Sequence, residues 1–203
     1  MTEDEKQTPE KKPRERKKAP GLGLLSYVHD LIYILAAVMI LFLLLFRVVV
    51  VSGSSMYDTL VDGDYLLLVG NLFCGDPKQG DIIVASKDSF RGGEPIVKRV
   101  IATEGQTVNI DFAAGIVYVD GIALEEDYTQ TPTNLEEGVT FPLTVEPGHV
   151  FVMGDNRNNS KDSRSTEIGL VDCREIMGKA IFLLFPGTNE GRNAPDFRRI
   201  GGI

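Results

Sequence analysis

Ile116-Val117-Tyr118-Val119-Asp120-Gly121-Ile122-Ala123-Leu124 reads as a β-hairpin. Two apolar, β-prone runs flank an Asp-Gly pair, and Asp-Gly is favoured where both central residues of a tight turn need positive φ. Outward from this hairpin, runs of strand length recur at Tyr65–Val69, Asp81–Ala85, Ile96–Ala102, Thr107–Ile110, Val150–Met153 and Ala180–Phe185. Gly, Pro and Asp punctuate them. No segment after the first quarter of the chain carries a helical period of a dozen residues. Residues 52–203 therefore read as an all-β domain, a barrel or sandwich of short antiparallel strands. Thr129–Phe141 is polar and reads as a long loop.

Upstream the pattern changes. Leu31–Phe46 contains no charge, and after Arg47 the apolar run resumes as Val48–Val51. Leu31 to Val51 would span roughly 31 Å as a helix, the thickness of a bilayer's hydrocarbon core. The stretch has no polar face, which argues against a core helix. It is long for a cleaved signal sequence, and no clear small-x-small site follows it. A single transmembrane helix over residues 26–51 is the expected reading, with Arg47 snorkelling to the interface. Residues 1–25 form a charged arm, expected to be disordered. Between Lys11 and Lys18 it holds six cations (Lys11, Lys12, Arg14, Arg16, Lys17, Lys18), whereas no Lys or Arg occurs between Ser52 and Pro77. The positive-inside rule then puts the arm in the cytoplasm and the β-domain outside.

Composition narrows the function. The 203 residues carry 21 Lys+Arg and 29 Asp+Glu, a net charge of −8. From Ser52 onward there are 13 cations against 23 acids, so the outer domain is more acidic still. Nucleic acid is excluded as the main partner. Anionic lipid will not attract this domain, so the anchor must hold it at the membrane. Two cysteines, Cys74 and Cys173, are too few for a disulfide scaffold or a four-cysteine zinc site. They are free to pair or to stay separate.

Three segments are candidates for chemistry. Val51-Ser-Gly-Ser-Ser-Met-Tyr-Asp-Thr-Leu60 directly follows the apolar run. Its composition suits a flexible linker, but Met56, Tyr57 and Leu60 are more apolar than a linker needs. In Ile96-Val-Lys-Arg-Val-Ile-Ala102, strand alternation puts Ile96, Lys98, Val100 and Ala102 on one face and Val97, Arg99 and Ile101 on the other. Either both cations snorkel from an edge strand, or one is buried. A buried lysine loses proton affinity and becomes a usable base near neutral pH. Arginine cannot do this. Gly154-Asp-Asn-Arg-Asn-Asn-Ser-Lys-Asp-Ser-Arg164 is either a surface loop or a hydrogen-bonded network around a site. Its spacing misses the calcium-loop pattern.

Together these segments resemble the type I signal peptidases, the membrane-bound serine/lysine endopeptidases. Ser55-Met56 with Thr59-Leu60 looks like the nucleophile box. Gly80-Asp81-Ile82-Ile83-Val84 looks like a structural strand of the family, and Val97-Lys98-Arg99 resembles the box of the general base. Gly154-Asp155-Asn156-Arg157, with Asn159-Ser160 and Asp162-Ser163-Arg164, resembles the last box. The four come in the family's order, over about residues 27–186. The resemblance implies Ser55 as nucleophile, Lys98 as base, Ser160 as the hydroxyl orienting the lysine, and Asp162–Arg164 as a structural ion pair. It implies no metal or organic cofactor. The implied partners are membrane lipid and secretory precursors with small-x-small cleavage sites. Two positions depart from the pattern. Asp58 stands where the family usually has proline, and an Asp can close a turn with its own side chain. Gly53 stands where some members carry a serine that donates to the oxyanion, which leaves the Ser55 N–H as the safer donor.

Other classes fit less well. A histidine-based serine protease has only His149 outside the membrane, since His29 lies on the cytoplasmic side. A sortase-like transpeptidase built on Cys173 lacks the flanking pattern. A membrane-anchored binding module without catalysis predicts no effect of Ser55→Ala.

Overall fold

The computed structural model describes residues 20–90, 92–188 and 194–203. The first 19 residues of the charged arm lie outside the described residues. The chain divides into two compact units, residues 1–41 and 42–203. Helix α1 runs from Pro20 to Leu45. Within it, Leu24–Leu45 is long and apolar enough to cross a membrane. Twenty-two residues make about 33 Å of helix, enough for the hydrocarbon core without further chain.

This shortens the helix expected over residues 26–51. Phe46–Val50 is strand β1 instead. It pairs antiparallel with β2 (Tyr65–Gly70), from Phe46↔Val69 to Val50↔Tyr65. Three consecutive β-branched valines suit a pleated surface better than a helix. The apolar count continued past Leu45 because a strand in a domain and a helix in lipid both select Val and Phe. Ser55 thus follows the helix by ten residues rather than by four.

The remaining elements are a one-turn helix α2 (Asn71–Cys74) and strands β3 (Ile82–Ser86), β4 (Pro95–Thr103), β5 (Thr107–Asp111) and β6 (Ile116–Val119). Then come β7 (Ile122–Ala123), β8 (Leu143–Thr144), β9 (His149–Met153), β10 (Val171–Asp172), β11 (Ile176–Phe185) and β12 (Gly201–Gly202). Every strand pair is antiparallel. One sheet has the order β1-β2-β11-β3-β4-β9-β10, with β12 on β11, and a smaller sheet has the order β7-β6-β5-β8. The Asp-Gly hairpin forms as read: Val119 faces Ile122, with φ of 52° at Asp120 and 80° at Gly121.

Strand β4 carries the departure from simple alternation that positions the site. It pairs with β3 through Ile83↔Lys98 and Ile82↔Arg99. Its register against β9 slips between Val100 and Ala102. This bulge lets Val100, Ile101 and Ala102 all be buried. Val100 packs with Ile83, Val150 and Val152, while Ile101 and Ala102 pack with Val108, Val117 and Phe151. One strand thereby serves two cores just beyond Lys98.

Candidate active site

The segment after β1 is a folded loop, not a linker. Met56 is 1% and Leu60 0% exposed. Both pack with Leu66, Leu68, Val84 and Leu183. Burying two such side chains contributes about 3–6 kcal/mol before entropy is counted. A tight turn joins them, Leu60 N donating to Met56 O at 2.8 Å. The loop is closed at its base, where Val51 N donates to Asp64 O at 2.8 Å and Gly63 N to Val51 O at 2.9 Å. Ser55, immediately before Met56, is half-buried at the mouth of a cleft of about 450 Å³.

Lys98 reaches Ser55 from β4. Its Nζ donates to Ser55 Oγ at 2.7 Å and to the Val97 carbonyl at 3.1 Å. Lys98 is 4% exposed, so the buried reading of this cation holds, while Arg99 stays half-buried. Desolvation of the ammonium pulls its pKa down to about 8. The charges of Asp162, Asp155 and Glu137 oppose that fall without cancelling it, and Arg164 adds to it.

The polar loop after β9 is a network around this pair. Asn156 N donates to Ser55 O at 3.0 Å, Asn156 Nδ2 to Ser54 O at 3.0 Å and Asn159 Nδ2 to Ser54 Oγ at 3.0 Å. Gly154 lies so close that a Cβ there would come within 2.2 Å of Ser160 Oγ and 2.4 Å of Ser55 O. The loop is tied back to β4 and to the nucleophile loop through Asp155. Arg99 grips its carboxylate at 2.8 and 2.7 Å, and Thr59 Oγ1 donates to it at 2.5 Å.

Asp162 and Arg164 form an ion pair at 2.8 Å, both 0% exposed. Arg164 also donates to the carbonyls of Arg157 at 2.6 Å, Leu135 at 3.3 Å and Ser160 at 3.4 Å. Arg164 holds both carboxylate oxygens of Asp162, and Oδ2 also accepts from Gly154 N at 3.0 Å.

One contact implied by the resemblance is not made. Ser160 is buried and lines the cleft, but its hydroxyl donates to the Lys161 carbonyl at 3.5 Å rather than meeting Lys98. Gly53, at φ 91°, gives its N–H to Asp62 Oδ1 at 2.7 Å, so that amide is committed and is not a free oxyanion donor. Among the described residues the Ser55 N–H has no acceptor. Asp58 does not close its own turn with its side chain. It accepts a hydrogen bond from Gln130 in the long loop.

Several contributors carry no sequence signal. Asp64, 0% exposed, accepts from Val61 N at 2.8 Å, from Gly187 N at 2.7 Å and from Arg199 at 2.9 and 2.7 Å. Arg199 also donates to Thr59 O at 3.1 Å. Arg199 thus braces the loop that carries Ser55. Glu137, in a stretch read only as loop, lines the cleft. Its carboxyl is pushed up by burial and by the neighbouring Asp162 charge.

The alternative nucleophile and base sit elsewhere. His149 opens β9, with Nδ1 against the Pro147 carbonyl at 3.0 Å, outside the cleft lining. Cys173 is half-buried, and burial pushes its thiol up, away from thiolate character. Both cysteines are unpaired.

The proteins to which this chain is similar put its antiparallel β-domain among the serine endopeptidases, which are hydrolases. The family model described as "Signal peptidase, peptidase S26" matches residues 24–185, and the chain belongs to that family. It is similar to signal peptidase I of Bacillus amyloliquefaciens, 33% identical over 196 residues, covering 92% of this chain and 96% of that protein. It is also similar to signal peptidase I T of Bacillus subtilis, 36% identical over 150 residues, covering 70% of this chain and 75% of that one. A crystal structure of a signal peptidase I from Enterococcus faecalis V583 aligns with a TM-score of 0.42 at 32% identity, over 51% of this chain and 96% of that chain. Signal peptidases act on secretory precursors, and the apolar helix α1 suggests that this member is membrane-anchored.

Proposed function

We propose that this chain removes signal peptides by acyl transfer, with Ser55 as nucleophile and Lys98 as general base. The observation that carries the reading is the 2.7 Å approach of a desolvated lysine amine to a serine hydroxyl at the mouth of a cleft. A neutral amine keeps one lone pair. With one of its hydrogens turned to the Val97 carbonyl, the lone pair takes the Ser55 proton as Oγ attacks the scissile carbonyl. The Oγ–C bond forms and the C–N bond breaks, and the Lys98 proton passes to the leaving amine. Water, deprotonated by the same amine, then releases the acyl group. The Ser55 N–H is the nearest uncommitted backbone donor for the oxyanion, a contribution of about 3–4 kcal/mol.

In the same reading α1 crosses the membrane, with the cationic arm on the cytoplasmic side and residues 52–203 outside. The substrates are precursors whose signal peptides end in a small-x-small pattern. The test is cleavage of such a precursor by the detergent-purified full chain, with Ser55→Ala alongside. Wild type is expected to cut after the small-x-small site, and Ser55→Ala to leave the precursor whole. Equal cutting by both removes Ser55 from the mechanism.

The rate is also expected to depend on pH in a definite direction. Lys98 works only when neutral, so kcat/KM should be low below its pKa, rise through about pH 8 and level off above it. A flat profile from pH 6 to pH 10 argues against a lysine base.

A further inference from the structure

Three carboxylates act on the Lys98 amine, and they are not equivalent. Asp155 is gripped by Arg99 at 2.8 and 2.7 Å, and Asp162 by Arg164 at 2.8 Å. Each of those carboxylates is paired with its own arginine, though both still act on Lys98 more strongly than Glu137 does. Glu137 is different. Among the described residues no cation forms an ion pair with it, and its Oε2 is closed off from solvent without a hydrogen-bond partner. It lines the cleft together with Ser55, Lys98 and Ser160. Its segment is held there by the bridge of Gly138 to Ser165 and by Val139 N donating to Arg164 O at 3.1 Å.

A buried amine that accepts a proton becomes an ammonium in poor solvent, which costs free energy unless a counter-charge faces it. We propose that Glu137 is a positioning residue that supplies this counter-charge, stabilising the Lys98 ammonium formed as Ser55 attacks. The proposal rests on the reading of Ser55 and Lys98 as nucleophile and base. Asp162 and Asp155 act on the same amine from within their arginine pairs, and Glu137 is the one of the three that forms no ion pair among the described residues.

Other charges surround Lys98. Arg99 lies beside it on β4, and Glu94 lines the cleft from the segment before β4. Asp155, Lys161, Asp162 and Arg164 come from the loop after β9. The nucleophile loop brings none to the cleft, since residues 52–56 are uncharged. Replacing Glu137 by glutamine leaves all of these in place and removes one charge. Two effects follow, of opposite benefit. Neutral Lys98 becomes easier to maintain, so the rising limb of the pH profile moves to lower pH. The ammonium formed during attack loses its counter-charge and the amine is a weaker base, so the plateau rate falls.

The experiment is single-turnover acylation of Ser55 by a signal-peptide substrate, using the full chain in detergent from pH 6 to pH 10, with thermal unfolding followed in parallel. For E137Q the limb is expected about 0.5–1 pH unit lower, with a plateau reduced about three- to tenfold. E137D keeps the charge and should keep the wild-type limb. A limb that does not move in E137Q overturns the proposal, and so does a lowered plateau accompanied only by a lower Tm. If E137Q does not fold, E137A must show the same shift. Ser55→Ala and Lys98→Ala run alongside. Acylation surviving in either one removes the reading of the site itself. Both dead with an unmoved E137Q limb removes only the role of Glu137.

Discussion

Lys98→Ala is expected to lower precursor cleavage by about 10⁴-fold or more, Ser55→Ala by a similar factor, and the double variant no further. Lys98 Nζ lies 2.7 Å from Ser55 Oγ, so in the proposed mechanism removing either removes the step that needs both. Residues acting as a unit are strongly non-additive, and what survives comes from substrate binding and oxyanion donors alone. Neither single change should unfold the domain. Lys98→Ala removes a buried amine together with its desolvation cost, and Ser55 is only half-buried at the cleft mouth. Single-turnover rates of the four chains form the measurement. A double variant that loses the product of the two single losses shows that serine and lysine serve separate steps. Lys98→Arg is not a rescue. Guanidinium stays protonated at every pH the protein meets and offers no lone pair.

Arg164→Met should have the largest effect on stability, about 3–5 kcal/mol. Arg164 is the partner of a fully buried carboxylate and also serves three backbone carbonyls. Removing it strands the Asp162 charge in a site that water does not reach. For a domain of this size, a loss of that order lowers Tm by about 6–20 °C. Arg164→Lys should recover less than half of it, because a point charge cannot replace the fork that holds both Asp162 oxygens and the carbonyls together. Activity should fall at temperatures where the chain is still folded. Asp162 accepts from Gly154 N, and Gly154 leaves no room for a Cβ beside Ser55 O and Ser160. The measurement is thermal unfolding of each variant in detergent, with activity assayed below the transition. An Arg164→Met chain within 1 kcal/mol of wild type is incompatible with this account.

The parts of the site that could be read along the chain share a reason. Lys98 was visible because an alternating strand cannot place a cation among Ile96 and Val100 without either burying it or leaving the strand at an edge. The Asn- and Asp-rich run 154–164 was visible because so many hydrogen-bonding side chains in sequence have to satisfy one another. The Asp120-Gly121 turn was visible because its requirement for positive φ is local. Glu137 was not visible. It lies in a polar stretch like any other acidic residue, and only the packing of residues 135–139 against Arg164 and Ser165 brings its carboxyl into the cleft. Arg199 was hidden for the same reason, since its partner Asp64 is 135 residues away.

Sequence by itself determined the all-β character of the domain, the one apolar helix before it, and the order of the segments that meet at the cleft. These follow from local rules: side-chain period, turn chemistry and the length of an apolar run. Tertiary structure alone decided that the helix ends at Leu45, because the valines after it find a pairing partner in β2. It alone decided that the Gly53 amide is taken by Asp62, that the Ser160 hydroxyl meets the Lys161 carbonyl, and that Glu137 joins Lys98 in the lining of the cleft. Each of these depends on which distant group reaches a donor or acceptor first. That competition is settled by packing in three dimensions, and periodicity along the chain carries no record of it.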